Sequence, residues 1–282
     1  MNILILGATG YLGTRLCSRL NIKGNNIYAL VRESSKTDIL LEKGLVKEYI
    51  WKIDELSNQL ESGKIKIDWF INCACCYARN GVTDNQVIEA NYVVPLKCIM
   101  ICMEYGVHNY INIDTGLPDD FNIYSKSKAQ LSDMLEWYAV KNNLYIRNLL
   151  LENYYGEDEP NNRFLPSIIS KMKNNEDIFL TAGLQKRDFI YIDDVLSAIE
   201  LLINIKDNVN YLDIPLGTGE GPSIREIVQY LASITNTSSR LLFGTVLMRT
   251  NEPDSVADIH IMKSLGWNYQ FDWKAGLKKL IM

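Results

Sequence analysis

The chain opens with a short apolar run, Asn2 to Leu6, that breaks directly into Gly7-Ala8-Thr9-Gly10-Tyr11-Leu12-Gly13. Leu12, Leu16 and Leu20 then recur every four residues, the spacing of one helix face. Strand, glycine-rich turn and helix in that order constrain the fold more than any other feature of the chain. Glycine is needed where the backbone turns sharply and where it must come close to a phosphate. The first turn of the helix offers unpaired N–H groups and a partial positive charge to an anion. Gly13 lets the helix pack closely on the strand. Gly7, Thr9, Gly10, Tyr11, Leu12 and Gly13 are therefore the candidate cradle for the pyrophosphate of a dinucleotide, with G-x-x-G-x-x-G spacing.

The alternation continues. Gly24-Asn25-Asn26 ends the first helix and Ile27 to Val31 is the next strand. A weaker unit follows, with a helix near Asp54 to Glu61. Asp68 to Cys73 is a strand, Asp84 to Tyr105 a long helix, Tyr110 to Ile113 a strand, Tyr124 to Lys141 a helix and Tyr145 to Leu151 a strand. Such alternation implies an α/β fold with a Rossmann-type, doubly wound parallel sheet. From about Asn153 the elements shorten and turns multiply. We therefore expect a dinucleotide-binding domain over 1–152 and a smaller C-terminal substrate-binding lobe over 153–282. Strands near 188–192 and 210–214 are expected to return to the main sheet, interleaving the two lobes. With 282 residues, 47% of them apolar, there is material for a full core.

The end of the second strand reports on the cofactor. An NAD enzyme usually places Asp or Glu there to hold the ribose hydroxyls. Here Arg32 ends the strand, followed by Glu33, Ser34, Ser35 and Lys36. A guanidinium pairs well with the 2′-phosphate of NADP, and Ser34 and Ser35 add donors, so NADP(H) is the expected cofactor. The alternative is a solvated Arg32 with Glu33 at the ribose.

Tyr124 and Lys128 form Y-x-x-x-K, and residues four apart share one helix face. A tyrosine is a poor acid at neutral pH, and a nearby ammonium stabilises its phenolate. Thr115, just past a strand, could hydrogen-bond the same substrate oxygen, with Asp114 as the neighbouring candidate. On an exposed helix face, a Tyr and a Lys at this spacing can also be merely solvated.

These motifs together resemble the extended short-chain dehydrogenase/reductases, the NAD(P)-dependent epimerase/dehydratase family, over nearly the whole chain. Asn91 is similar to the Asn of the family's fourth helix. Glu152-Asn153-Tyr154-Tyr155-Gly156 resembles its N-V-Y-G turn, and Asn162-Arg163-Phe164-Leu165-Pro166 follows. Gly183 to Asp194 reads close to G-x-x-x-R-D-F-I-Y-V-D-D, and Arg249, Glu252 and Asp258 with Gly266-Trp267 resemble the C-terminal signature. The resemblance implies cofactor contacts at Cys73, Ala74, Asn91 and Lys128. It implies nucleotide-sugar contacts at Thr115, Asn153, Arg163, Arg187 and Arg249, the arginines suiting a diphosphate. For Arg187, a purely structural pair with Asp188 or Asp193 is the competing reading. The chain departs from the family at Leu150, where an arginine is usual, and at Gly156-Glu157-Asp158, where Gly-Pro is usual.

Within the family, the likeness runs towards nucleotide-sugar 4-ketoreductases of the CDP-abequose synthase type. It is carried by the stretch from Arg163 to Asp194 and by Asp120-Phe121-Asn122. A sugar 4,6-dehydratase carries Asp-Glu after its catalytic Thr, whereas Gly116-Leu117 follow Thr115 here. The expected reaction is NADPH-dependent reduction of the 4-keto group of a nucleotide-linked 4-keto-6-deoxy sugar, CDP-linked first, with dTDP- and GDP-linked sugars as alternatives. An epimerase, and a non-catalytic NADP(H) sensor, are the competing functions.

Net charge is −5 with 22% charged residues, which argues against a nucleic-acid partner. The six Cys lie in apolar stretches without a disulfide rhythm, and with only His108 and His260 beside them no zinc spacing forms. We expect reduced thiols, no metal and a cytoplasmic location. The N-terminal apolar run is too short for a signal or membrane segment. A homodimer is left open.

Overall fold

Ile3, Leu4, Ile5 and Leu6 are all buried, because the strand they form lies in the middle of a sheet covered on both faces. The computed structural model describes residues 1–79, 81–205 and 207–282. The chain divides into two units, one of Met1–Leu150 with Ile199–Ile214 and one of Leu151–Ala198 with Pro215–Met282.

The first unit is built on β1 (Asn2–Leu6), β2 (Asn26–Val31), β3 (Ile50–Lys52), β4 (Trp69–Asn72), β5 (Asn109–Thr115), β6 (Tyr145–Leu151) and β10 (Tyr211–Leu216). Their order across the sheet is β3-β2-β1-β4-β5-β6-β10. The β1–β2, β1–β4, β2–β3 and β4–β5 pairings are parallel, with Leu6 opposite Leu30 on one side and Asn72 on the other. The order reverses between β1 and β4. In open α/β sheets, ligands bind at the carboxyl ends of strands at such a reversal.

The helices are α1 (Tyr11–Ile22), α2 (Asp38–Glu42), α3 (Leu56–Glu61), α4 (Asp84–Ile88), α5 (Val94–Glu104) and α6 (Ile123–Asn142). One core forms where Leu4, Leu30, Trp51, Phe70 and Tyr110 of the strands meet Leu56, Cys98, Cys102, Leu131 and Leu135 of the helices. The helix expected over Asp84 to Tyr105 is continuous but carries a π turn at Glu89–Val93. Pro95, just beyond it, has no N–H for the helical ladder, and the wider turn accommodates that gap. Asp84–Glu104 is, among the described residues, the helix long and apolar enough to cross a membrane by length and composition. Its Cys98, Ile99 and Cys102 are buried in this core, and Val87 and Asn91 are buried as well.

The second unit pairs β7 (Asn153–Tyr155) with β9 (Phe189–Tyr191), and β8 (Ile178–Leu180) with β11 (Leu241–Phe243), both in parallel. Its helices are α7 (Phe164–Lys173), α8 (Ile192–Leu202, running on into the first unit), α9 (Ile224–Thr235), α10 (His260–Ser264) and α11 (Trp273–Ile281). Buried Asp188 ties this unit together, accepting from the Thr218 hydroxyl at 2.7 Å and from the main-chain N–H groups of Thr218 and Gly219. Asp194 accepts the N–H groups of Gln270 and Phe271.

The two strands expected to rejoin the main sheet part company. Tyr211–Leu216 lies beside β6, whereas Phe189–Tyr191 pairs with β7 in a separate ribbon. The Asn153 N–H donates to the Asp188 carbonyl, and that bond sets the register Asn153–Phe189.

Candidate active site

Gly7 and Gly13 of the first loop stand where a side chain cannot. Gly7 has φ +79, and a Cβ there would lie 2.7 Å from the Ala74 nitrogen; a Cβ on Gly13 would lie 2.2 Å from the Gly7 carbonyl oxygen. The loop is closed by Gly10 N–H to Gly7 O at 3.0 Å and by the Thr14 hydroxyl to Ala8 O at 3.0 Å. α1 begins at Gly10 with no side-chain cap and no acid in its first turn, so its first N–H groups face outward for an anion. These residues fit the diphosphate of a dinucleotide. Leu12 is buried in the core, so what it offers a ligand is its backbone N–H.

At the end of β2, Arg32 and Ser34 are exposed and Ser35 is half-buried, its N–H closing a turn on Arg32 O. The alternative ribose ligand, Glu33, has a neighbour the sequence did not point to. Lys52 of β3 donates to the Glu33 carbonyl at 3.1 Å and lies 3.8 Å from its carboxylate. Arg32, Lys36 and Lys52 thus outnumber Glu33 at this corner. Burial pushes the Cys76 thiol up, with Cys75 adding to the rise and the Arg32 charge opposing it.

α6 is started by Asn122, whose side chain accepts the Ser125 N–H at 3.0 Å. This cap sets Tyr124 in the first turn, nearly buried, its ring centred 4.8 Å from that of Tyr77. One turn on, Lys128 is 1% exposed, and its Nζ donates to Ile113 O at 2.5 Å and to Ala74 O at 3.1 Å. Lys128 therefore joins α6 to the ends of β4 and β5. Thr115 is half-buried at the end of β5, its hydroxyl accepting the Leu117 N–H at 3.3 Å. Asp114 turns inward, accepting from the Ser132 hydroxyl and the Asn148 amide. Of the two candidates, Thr115 is the one whose hydroxyl stands at the strand end.

Both amide atoms of Asn91 are committed to protein. Its Oδ1 accepts the Cys76 N–H at 2.8 Å, and its Nδ2 donates to Cys76 O and to the Ser127 hydroxyl. Its side chain holds the loop after β4 against α6 and has no donor left over for a cofactor. Cys73 and Ala74 are half-buried, and burial pushes the Cys73 thiol up to about 12 against the Lys128 charge. All six cysteines are free. Among the described residues, no cluster of His, Cys, Asp or Glu could hold a metal.

In the second unit, Asn153 is half-buried on β7 and Arg249 is exposed. Arg163 pairs with Glu159 at 3.0 Å, donates to Tyr154 O and lies over the Tyr154 ring. Burial pushes the Glu159 carboxyl up to about 7 against the pull of Arg163. Arg187 is 7% exposed and pairs with Glu252, donating as well to the carbonyls of Lys186 and Pro253. The carboxylate it finds is neither Asp188, which is taken up by Thr218 and Gly219, nor Asp193, which meets Lys279.

A profile of the NAD dependent epimerase/dehydratase family matches residues 3–214. CDP-abequose synthase of Salmonella muenchen is 30% identical over 287 residues, covering 99% of this chain and 96% of that protein. Its counterpart from Salmonella typhimurium is 29% identical, covering 99% and 97%. Among solved structures, UDP-glucose 4-epimerase of Thermotoga maritima with UDP-glucose superposes with a TM-score of 0.85 at 22% identity, covering 100% of this chain and 97% of that one. The Thermus thermophilus UDP-glucose 4-epimerase in complex with NAD gives 0.82 at 18%, covering 100% and 98%. With the glycine cradle at the sheet reversal, Tyr124 and Lys128 on one helix and a family match across most of its length, the chain belongs to the NAD dependent epimerase/dehydratase family of enzymes.

Proposed function

We propose that this enzyme uses NADPH to reduce the 4-keto group of a nucleotide-linked 4-keto-6-deoxy sugar, CDP-linked sugars first and dTDP- or GDP-linked sugars as alternatives. The observation that carries the reading is the grouping of Tyr124, Lys128 and Thr115 without the acid–base pair that removal of water needs. Lys128 is fixed by the carbonyls of Ala74 and Ile113, and Thr115 is followed by Gly116-Leu117 rather than by two acids. Full-length likeness to CDP-abequose synthases supports the same choice.

NADPH supplies the hydride when bound. The cradle from Gly7 to Gly13 would hold its diphosphate, Arg32 with Ser34 and Ser35 its 2′-phosphate, and Lys128 with the backbone of Cys73 and Ala74 its nicotinamide half. Tyr124 donates its phenolic proton to the ketone oxygen as that oxygen becomes an alcohol. The ammonium of Lys128 stabilises the phenolate left behind, which regains its proton from solvent. Thr115 orients the carbonyl. A positioned acid of this kind contributes roughly 10²–10⁴ in rate. In the second unit, Asn153, Arg163, Arg187 and Arg249 are assigned to the nucleotide sugar, with Arg187 at the diphosphate.

Purified enzyme with NADPH and each nucleotide-linked 4-keto-6-deoxy sugar tests the reading. One NADPH consumed per sugar reduced is expected. Conversion between two sugars with no net loss of NADPH would make the protein an epimerase instead.

A further inference from the structure

Across β4, β5, β6 and β10, each strand places one polar side chain in a single row. Asn72 Nδ2 donates to Asn112 Oδ1 at 2.8 Å, Asn112 Nδ2 to Asn148 Oδ1 at 2.7 Å, and Asn148 Nδ2 to Asp213 Oδ1 at 2.7 Å. The three asparagines are at most 1% exposed. Strand positions this deep ordinarily carry apolar side chains, because a buried amide left unpaired is costly. A fully paired row instead fixes the groups at its ends.

Those ends are the candidate catalytic groups. Asn72 Oδ1 accepts the Ala74 N–H at 3.0 Å, and the Ala74 carbonyl accepts Lys128 Nζ. At the other end, Asn148 Nδ2 also donates to Asp114 Oδ2 at 3.2 Å, and Asp114 Oδ1 accepts the Thr115 N–H at 2.8 Å. Hydrogen bonds thus run unbroken from Asn148 to both Lys128 and Thr115. The Asn148 amide stands between two carboxylates, Asp114 and Asp213. Asp114 also accepts from the Ser132 hydroxyl at 2.5 Å, and Asp213 from the Tyr211 hydroxyl at 2.9 Å.

We propose that Asn148 is a positioning residue, which through this row sets the ammonium of Lys128 and the hydroxyl of Thr115 relative to each other. The proposal rests on the catalytic roles given to those two residues above. Asn148 touches neither substrate nor cofactor in this scheme, so its loss moves the chemical step and not the affinities.

The test is Asn148→Leu, which keeps comparable bulk and deletes the amide, beside Ser132→Ala, which removes one donor to Asp114 from the helix side. Steady-state kinetics with NADPH and the keto-sugar, corrected for folded sites by NADPH titration, are measured with amide hydrogen exchange at Ala74 and Thr115. For Asn148→Leu we expect kcat to fall by about tenfold or more with both KM values within about threefold. Exchange at Ala74 and Thr115 should quicken by about tenfold or more, with β1 unchanged. Ser132→Ala should slow turnover and quicken exchange at Thr115 in the same direction, by about threefold. A folded Asn148→Leu enzyme with wild-type kcat, or with unchanged exchange at both amides, overturns the proposal. If that variant does not fold, wild-type turnover and exchange in Ser132→Ala overturn it. If the wild-type protein reduces no keto-sugar, the functional reading fails, and the exchange data alone decide whether the row fixes Ala74 and Thr115.

Discussion

Arg187 gives its guanidinium to the carboxylate of Glu252, both side chains largely buried within the second unit. A diphosphate ligand at Arg187 must therefore displace that carboxylate or share the guanidinium with it. Removing one partner of a buried pair leaves an uncompensated charge, at a cost of about 3–5 kcal/mol. We predict that Arg187→Ala lowers the melting temperature and weakens binding of the substrate's nucleoside diphosphate by about tenfold to a hundredfold. NADPH affinity should hardly change. Glu252→Gln, which frees the guanidinium, should tighten nucleoside-diphosphate binding. Separate calorimetric titrations with CDP and NADPH check this; unchanged CDP affinity in Arg187→Ala would make the pair structural only.

Cofactor choice is predicted to follow Arg32. Glu33 is drawn towards Lys52, so the charge left to meet a 2′-phosphate is positive. Arg32→Asp should shrink or invert the preference for NADPH over NADH, since one charge-assisted phosphate contact is worth about 1.5–3 kcal/mol. The ratio of the two dissociation constants decides it, and an unchanged ratio removes Arg32 from the discrimination.

Glu152 ties stability to pH. Burial pushes its carboxyl up to about 7 from an ordinary 4.5, against the bond from the Ser255 hydroxyl, with Asp188 adding to the rise and Arg187 opposing it. Between pH 4.5 and 7 the folded protein keeps a proton here that the unfolded chain has released. Stability must then fall as pH rises through that window. The full effect is on the order of 3 kcal/mol. Glu152→Gln keeps an acceptor for Ser255 and removes the titration. Melting curves should put the variant above wild type at about pH 8, with the gap closing towards pH 4.5. A gap independent of pH would contradict the assignment.

What could be read directly from the residues was local. Gly7 and Gly13 announce themselves by position between strand and helix, and Tyr124 and Lys128 by helical spacing. The long helix from Asp84 is plain in its pattern, and Pro95 carries the signal for the π turn that precedes it. The rest depended on register and on distance along the chain. β3 is three residues long, so Lys52 looked like an isolated lysine until the pairing Val31–Lys52 placed it beside Glu33. Asn72, Asn112 and Asn148 each pass for an ordinary polar residue of a strand; only the parallel register, Asn72 opposite Asn112, puts them in a row. Glu252 lies far from Arg187 in sequence, and nearby acids compete for the same role on paper. Phe189–Tyr191 has the apolar pattern of a main-sheet strand, but pattern does not name the partner, which is β7.

Reduction at the sugar C4 is tested by following the hydrogen. NADPH carrying deuterium at both nicotinamide C4 positions is incubated with enzyme and a CDP-linked 4-keto-6-deoxy sugar, and the product is examined by mass spectrometry and NMR. Such reduction yields a sugar alcohol with deuterium at C4, formed one for one with NADP⁺, and a rate lowered by roughly 10²–10⁴ in Tyr124→Phe. Sugar interconverted with the deuterium still on the nicotinamide, or label transfer undiminished in Tyr124→Phe, would contradict it.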